Sequence, residues 1–382
     1  MKAVVLGCAG AMGVHASSEL IASGLFDQIL VADLDVEKAR QMAGKWGLPD
    51  EAVACLDASD QTVLRQMLAG NPDVVVNALP KGLALPVAEA VIATGARAID
   101  LGDISPELLA LSQAAHAAGA VYVSGCGSSS GLTNMLAKHG ARGMDEIGSI
   151  EIDFASYRSI ALSPASVDGV FWEFGPDVRR GYYAEGAYRE VRLWDGAKTV
   201  DFPEPIGRQT VYIVPQSEAH TLPRTLGAKA VTVRGTFTPK AMQLMRSLCE
   251  YGAFDPAPVT INGSPIPRRE LVKQYLVQTP QANEEPAWGY ALHVQVTGRS
   301  GDRALERTLW TRHPSAEQAG WSGPSAWTRC VALPLVAGAL LLARGNFRGT
   351  GIDAPEAFLP SEPFLSELAL RGIQVHETER DL

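Results

Sequence analysis

Residues 1–13 read MKAVVLGCAGAMG. A short apolar run, Ala3-Val4-Val5-Leu6, leads straight into Gly7, Gly10 and Gly13. A helix-like stretch follows from His15 to Ser23, and a second apolar run, Gln28 to Ala32, stops at Asp33. Buried strand, glycine turn, helix, strand and acid is the order of a dinucleotide-binding βαβ unit. The glycines let the backbone turn tightly and approach a pyrophosphate, and the helix N-terminus offers oriented N–H groups to its charge. Gly7, Gly10, Ala11, Met12 and Gly13 are therefore the expected pyrophosphate turn. Asp33, with Leu34 beside it, stands where a carboxylate can accept hydrogen bonds from the adenosine ribose. That carboxylate repels a 2′-phosphate and no arginine follows it directly, so NAD is expected rather than NADP. The spacing is G-x-x-G-x-x-G, which leaves open a tight turn without a dinucleotide, or a nucleotide binder without redox chemistry.

Further along, apolar runs and helix-like stretches continue to alternate. A helix pattern over Val36–Gly47 precedes a short strand, Ala52–Leu56, that delivers Asp57 and Ala58 to the adenine edge or to a solvated loop. Asp73–Ala78 is nearly all apolar and β-branched, as a strand covered on both faces should be. It ends in Asn77-Ala78-Leu79-Pro80, near the expected ribose and nicotinamide end, since ligands of open α/β sheets bind beyond the strand C-termini. Helix Pro86–Thr94, strand Ala96–Leu101, helix Pro106–Ala118 and strand Ala120–Ser124 complete a parallel, doubly wound sheet of about six strands.

After Gly125 the pattern changes. A small-residue hinge, Cys126 to Gly131, leads into a helix at Leu132–Arg142. Period-2 stretches then follow at Ile150–Ser156, Tyr188–Trp194, Thr210–Val214, Ala230–Phe237 and Tyr290–Thr297, with helices near Ser166–Gly175 and Pro239–Tyr251. These predict a second α+β domain with a largely antiparallel sheet. The expected boundaries are 1–125 for the Rossmann domain, 126–325 for the substrate domain, and 326–382 for a helical segment returning to the first.

The 382 residues carry a net charge of −9 with 46% hydrophobic residues. An acidic chain argues against nucleic acid and anionic membranes as partners. The most apolar segment, Val331–Ala343, contains Pro334 and is bounded by Arg329 and Arg344, so it reads as a buried helix. The first strand begins too early to leave room for a signal peptide. The five cysteines lack disulfide or zinc spacing, so no metal and a cytoplasmic setting are expected.

The segments VLGCAGAMG, VVVNALPKGLALPVAEA, AIDLGD, GSSSGLTNMLA, VRGTFTP, AWTRCVALPLVAGALLLARG and LPSEPFLSELALRGI resemble the saccharopine dehydrogenase superfamily in order and spacing. The resemblance runs nearly end to end and is nearest to the short bacterial lysine 6-dehydrogenase-like members. It implies hydride exchange between a nicotinamide and an amine or imine carbon of an amine or amino-acid substrate. It also implies a dry cleft between the domains, a proton-shuttling group and a charge for a substrate carboxylate. A homo-oligomer, a dimer by expectation, accompanies that reading. Two blocks depart from the family. Ser129-Ser130 stands where many relatives have proline, and Arg234-Gly235-Thr236-Phe237-Thr238-Pro239 keeps the first basic residue of its block but not the second. That favours a substrate with one carboxylate, or none, over saccharopine.

Lys81, Asp103 and Glu173 are the candidate catalytic residues. Lys81 can act as a desolvated base or anion binder, or point into solvent. Asp103 can bind an ammonium or cap the helix that follows. Glu173 lies among aromatics in Phe171-Trp172-Glu173-Phe174, where burial would suit it to acid–base work. Ser129, Ser130, Arg158, His220 and Arg234 are the candidate substrate contacts, with Arg234 foremost for the carboxylate. Ser128 joins the serines as a donor to substrate or nicotinamide amide, or as part of a helix cap. An alcohol dehydrogenase, another hydride-transfer enzyme on this scaffold, or an NAD-binding regulator without turnover are the competing readings.

Overall fold

Four consecutive apolar residues, Ala3 to Leu6, are fully buried, because the strand they form is covered on both faces. The computed structural model describes residues 1–161, 163–279, 288–311 and 321–382. The first six strands are β1 (Lys2–Leu6), β2 (Gln28–Asp33), β3 (Val53–Cys55), β4 (Val74–Asn77), β5 (Arg97–Asp100) and β6 (Val121–Val123). Their neighbours pair in parallel, and helices link them. The predicted helix Pro106–Ala118 is two short ones, Pro106–Ala110 and Ser112–Ala117.

The second sheet is built from β7 (Glu146–Tyr157), β8 (Arg180–Ala184), β9 (Ala187–Val191), β10 (Lys198–Asp201), β11 (Arg208–Ile213), β12 (Ala230–Thr236), β15 and β16; a separate hairpin joins β13 (Val259–Ile261) to β14 (Ser264–Ile266). β15 is Gly289–Ser300 and β16 is Arg303–Thr311. Most neighbours are antiparallel, but β12 runs parallel to β7, with Arg234 opposite Asp153. The sheet is thus mixed. Period-2 patterning cannot distinguish the two directions, because side chains alternate in both.

Two strands near the C-terminus finish the sheets. β17 (Gly351–Asp353) lies parallel to β6 and makes the first sheet seven-stranded, in the order β17-β6-β5-β4-β1-β2-β3, rather than six-stranded. β18 (Val375–Asp381) joins the edge of the second sheet.

By contact density the chain forms two units, Met1–Arg142 with Thr328–Val375 and Gly143–Trp327 with His376–Leu382. Residues 126–142, expected in the substrate domain, belong to the first unit, and 376–382 belong to the second. In the first unit, helix Gly323–Ala343 packs tightly enough that a Cβ on Gly338 would meet the Ile99 side chain at 2.4 Å. It is the one helix among the described residues long and apolar enough to cross a membrane, and 83% of its most apolar window is buried inside the protein. Its outer edge is pinned by ions: Arg329 pairs with Glu19 of helix Ala11–Ala22 at 2.7 Å, and Arg371 reaches the same carboxylate at 3.7 Å.

Candidate active site

The glycine turn adopts the geometry its sequence implies. Gly7 sits at φ 79°, a left-handed conformation that penalises a side chain. A Cβ on Gly13 would lie 1.9 Å from the Gly7 carbonyl oxygen, so only glycine lets helix Ala11–Ala22 start this close to β1. The N-cap, Gly10, supplies no side-chain cap, and Gly10 and Ala11 are exposed. The helix therefore presents its first-turn N–H groups in the way that suits a phosphate.

Asp33 ends β2 half-buried, and its Oδ2 accepts a hydrogen bond from the Ala9 N–H at 2.9 Å while Oδ1 accepts one from Asp35 N–H at 3.1 Å. The acid is thereby fixed to the turn itself. Leu34 beside it is exposed. At the end of β3, Asp57 is exposed and closes a local turn by accepting from Ser59 N–H and Oγ–H, which hold its carboxyl below the ordinary range. Ala58 is buried. These residues fit a dinucleotide: a cradle without side chains, open helix donors and an oriented carboxylate.

Beyond β4, Asn77 is buried, and its Oδ1 accepts from Leu79 N–H at 3.1 Å, which shapes the Ala78-Leu79-Pro80 turn. Lys81 then forms an ion pair with Asp103, which follows β5. Two candidate catalytic residues 22 positions apart are brought into contact on one rim of the sheet. Asp103 does not cap the next helix; the Ser105 hydroxyl does, accepting from Leu108 N–H.

The serine hinge is placed differently from the expectation. Ser128 donates its hydroxyl to the Cys330 carbonyl. Pro334, four residues on, has no N–H, so that carbonyl lacks its helical partner and the serine supplies one. Helix Leu132–Gly140 is closed instead by Asn134, whose Oδ1 accepts from Gly131 N–H. Ser129 is half-buried and Ser130 buried.

In the second unit, Arg158 and Arg234 contrast. Arg234 donates to the Gly196 carbonyl and to Glu151 and Asp153, the latter two at 3.3 Å. Lys198 binds the same two acids at 2.7 and 2.8 Å. Nε and Nη1 of this guanidinium are thus engaged by groups of its own chain. Arg158, only 6% exposed, has its guanidinium 4.8 Å from the Phe237 ring centroid and 5.0 Å from that of Trp327. It donates through Nη1 to the Ser159 carbonyl, while its buried Nε has no hydrogen-bond partner among the described residues. Burial pushes the guanidinium below its ordinary pKa, and the charges of Glu173 and Tyr290 oppose that shift. Glu173 sits near the end of helix Pro164–Phe174. His220 lies at the surface with its ring stacked on Tyr188 at 4.4 Å; the partial loss of water around the ring, followed by the charge of Arg179, lowers its pKa.

The residue sequence reasoning missed is Asp100. It is 1% exposed, and its carboxylate accepts from Gly102 N–H, Gly125 N–H and Ser124 Oγ–H on Oδ1 and from Tyr122 Oη–H on Oδ2. Its signal was present: a carboxylate inside the otherwise apolar run Ala96–Leu101 of a doubly covered strand.

A parallel sheet with an uncapped glycine turn and an acid at the end of its second strand defines a dinucleotide-binding unit. The saccharopine dehydrogenase NADP binding domain matches residues 3–123 and the saccharopine dehydrogenase C-terminal domain matches residues 127–373. The chain belongs to the saccharopine dehydrogenase family. Carboxyaminopropylagmatine dehydrogenase of Synechocystis sp. is 22% identical, over 98% of this chain and 97% of that protein. Saccharopine dehydrogenase (L-Glu forming) from Saccharomyces cerevisiae shares the fold at a TM-score of 0.72, with 16% identity and 99% of each chain covered.

Proposed function

We propose that the protein is an NAD-dependent dehydrogenase that exchanges hydride with the amine or imine carbon of a substrate bearing a carboxylate. The family membership of both units supports the reaction class, and the Synechocystis relative is named for a substrate with a carboxylated aminopropyl group. Arg158 carries the carboxylate part of the reading: a buried guanidinium with an unmet Nε, over the rings of Phe237 and Trp327, favours a planar anion. Glu173 offsets the cost of burying that charge.

The cofactor would be held by the Gly7–Gly13 turn, with Asp33 favouring NAD over NADP. When bound, the nicotinamide supplies the hydride acceptor or donor. The protein's own part is to orient and to move one proton. Lys81 Nζ, steadied by Asp103, is the group we assign to exchange a proton with the substrate nitrogen.

The test is a panel of amino acids, N-carboxyalkyl amines, plain amines and alcohols, each with NAD or NADP, followed by reduced-nicotinamide absorbance. Turnover of a carboxylated amine with NAD preferred is the expected result. Turnover of alcohols alone would overturn the substrate class, and binding of NAD without turnover of any compound would favour a regulatory protein.

A further inference from the structure

The carboxyl edge of the first sheet contains a buried polar chain that none of the candidate chemistry uses. It starts at Leu79 N–H, which donates to Asn77 Oδ1. Asn77 Nδ2 donates to Tyr122 Oη at 3.1 Å, and Tyr122 Oη–H donates to Asp100 Oδ2 at 2.8 Å. Asp100 Oδ1 then receives Gly102 N–H and Gly125 N–H, each at 2.9 Å, and Ser124 Oγ–H at 3.0 Å. Asn77 is 2% exposed, Asp100 1% and Tyr122 fully buried, so the three side chains are shielded from water. The segments it joins follow β4, β5 and β6. They are separated in sequence and share no helix or strand. One carboxylate links their backbones.

The placement matters because two of those segments carry Lys81 and Asp103, whose ion pair closes across the same rim. The third begins at Gly125, whose φ of 78° and close approach to the Gly102 carbonyl leave no room for drift: a Cβ there would meet that oxygen at 2.9 Å. Burial of this kind is costly for a carboxylate and is met here by four donors. Burial pushes the Asp100 carboxyl above its ordinary range, and the donors from Gly125, Tyr122, Ser124 and Gly102 oppose the rise. A neutral apolar residue would pack in a strand more cheaply, so the acid is there to hold the loops.

We propose that Asp100 is a positioning residue, setting the backbone of the three segments after β4, β5 and β6 so that they receive the nicotinamide half of the cofactor. Only the identity of the ligand rests on the proposed dehydrogenase function. The positioning itself is a property of the chain.

The experiment compares the full-length protein with Asp100→Ala, Asp100→Asn and Tyr122→Phe. Affinity for NADH and for ADP-ribose, which lacks nicotinamide, is measured by titration, and amide hydrogen exchange is followed at residues 77–83, 101–105 and 124–128. Asp100→Ala is expected to weaken NADH about tenfold or more while ADP-ribose stays within about threefold, and to speed exchange in all three segments. Asp100→Asn keeps an acceptor for the three Oδ1 donors and should restore most of both properties. Tyr122→Phe cuts only the branch toward Asn77 and should loosen 77–83 alone. Equal loss of NADH and ADP-ribose, faster exchange spread through the whole unit, or no change in any segment would overturn the proposal. If the unaltered protein binds neither nucleotide, the dehydrogenase reading fails, and the exchange pattern alone then upholds or rejects the positioning role.

Discussion

Asp100 and Asp153 are both sealed from solvent, one in each sheet, and they are satisfied by opposite means. Asp100 is held by neutral donors: two backbone N–H groups and two hydroxyls. Asp153 faces two cations, Lys198 at 2.8 Å and Arg234 at 3.3 Å, with Glu151 sharing both. Neutral donors fix directions and therefore order backbone, which is what the edge of a ligand-binding sheet needs. Cations balance charge and bind strands side by side. The difference separates a region built to position from a region built to hold together.

The largest test of that contrast is stability. Removing Asp153 leaves Lys198 and Arg234 with only Glu151, so Asp153→Ala should cost about 3–5 kcal/mol in urea unfolding. Asp100→Ala leaves four buried neutral donors without their acceptor, at about 1–3 kcal/mol for each that no other group meets. If either substitution leaves the urea midpoint unchanged, the contrast is wrong.

Next comes substrate affinity. Arg234 is committed to Asp153 and Glu151, while Arg158 keeps an unmet Nε. Arg158→Lys is expected to raise KM for a carboxylated substrate about tenfold, because an ammonium cannot offer the planar fork. Arg234→Lys should leave KM within about twofold and instead lower the melting temperature. A reversed order in steady-state kinetics would return Arg234 to the substrate site.

The smallest effect is in pH, and its sign differs between the two regions. The Asp100 pKa is raised in the fold, so the folded state binds the proton more tightly than the unfolded one. Its stabilising contribution is present at acid pH and is lost as pH rises from the unfolded carboxylate pKa toward the folded value. Asp100→Asn lacks this loss, so its melting temperature relative to the unaltered protein should rise from acid to neutral pH. Glu151 behaves the other way. Burial pulls its pKa up, but Lys198 and Arg234 together pull it lower still, so its contribution is present above the unfolded pKa and is lost as pH falls through the folded one. A melting-temperature difference for Asp100→Asn that is flat or falls across the acid-to-neutral range would contradict the assignment.

What could be read from the chain follows the reach of the contacts involved. The glycine turn and Asp33 are legible because the strand, turn and acid are consecutive, and the steric demand on Gly13 comes from Gly7. Asp103 draws attention at a strand end, yet Asp100 is the acid that organises that edge. Its role depends on Tyr122 and Asn77, which only the sheet brings near. The pairing of Arg234 with Asp153 requires the parallel register of β12 and β7, strands 81 residues apart at that point. β17 is three residues long and is defined by the strand it joins rather than by its own pattern. Ser128 illustrates the same limit: its partner is a carbonyl orphaned by a proline two hundred residues away.

The seventh strand and the buried helix have a consequence for synthesis. The nucleotide-binding unit takes Thr328–Val375 from the far end of the chain. Until the ribosome releases those residues, β6 has a bare edge where β17 belongs, and Ile99 lacks the helix that carries Gly338. The unit that starts first is completed only after most of the second has emerged. A nascent chain stalled before residue 328 presents an unpaired strand of the kind chaperones shield, so the first unit waits on residues made long after its own first strands.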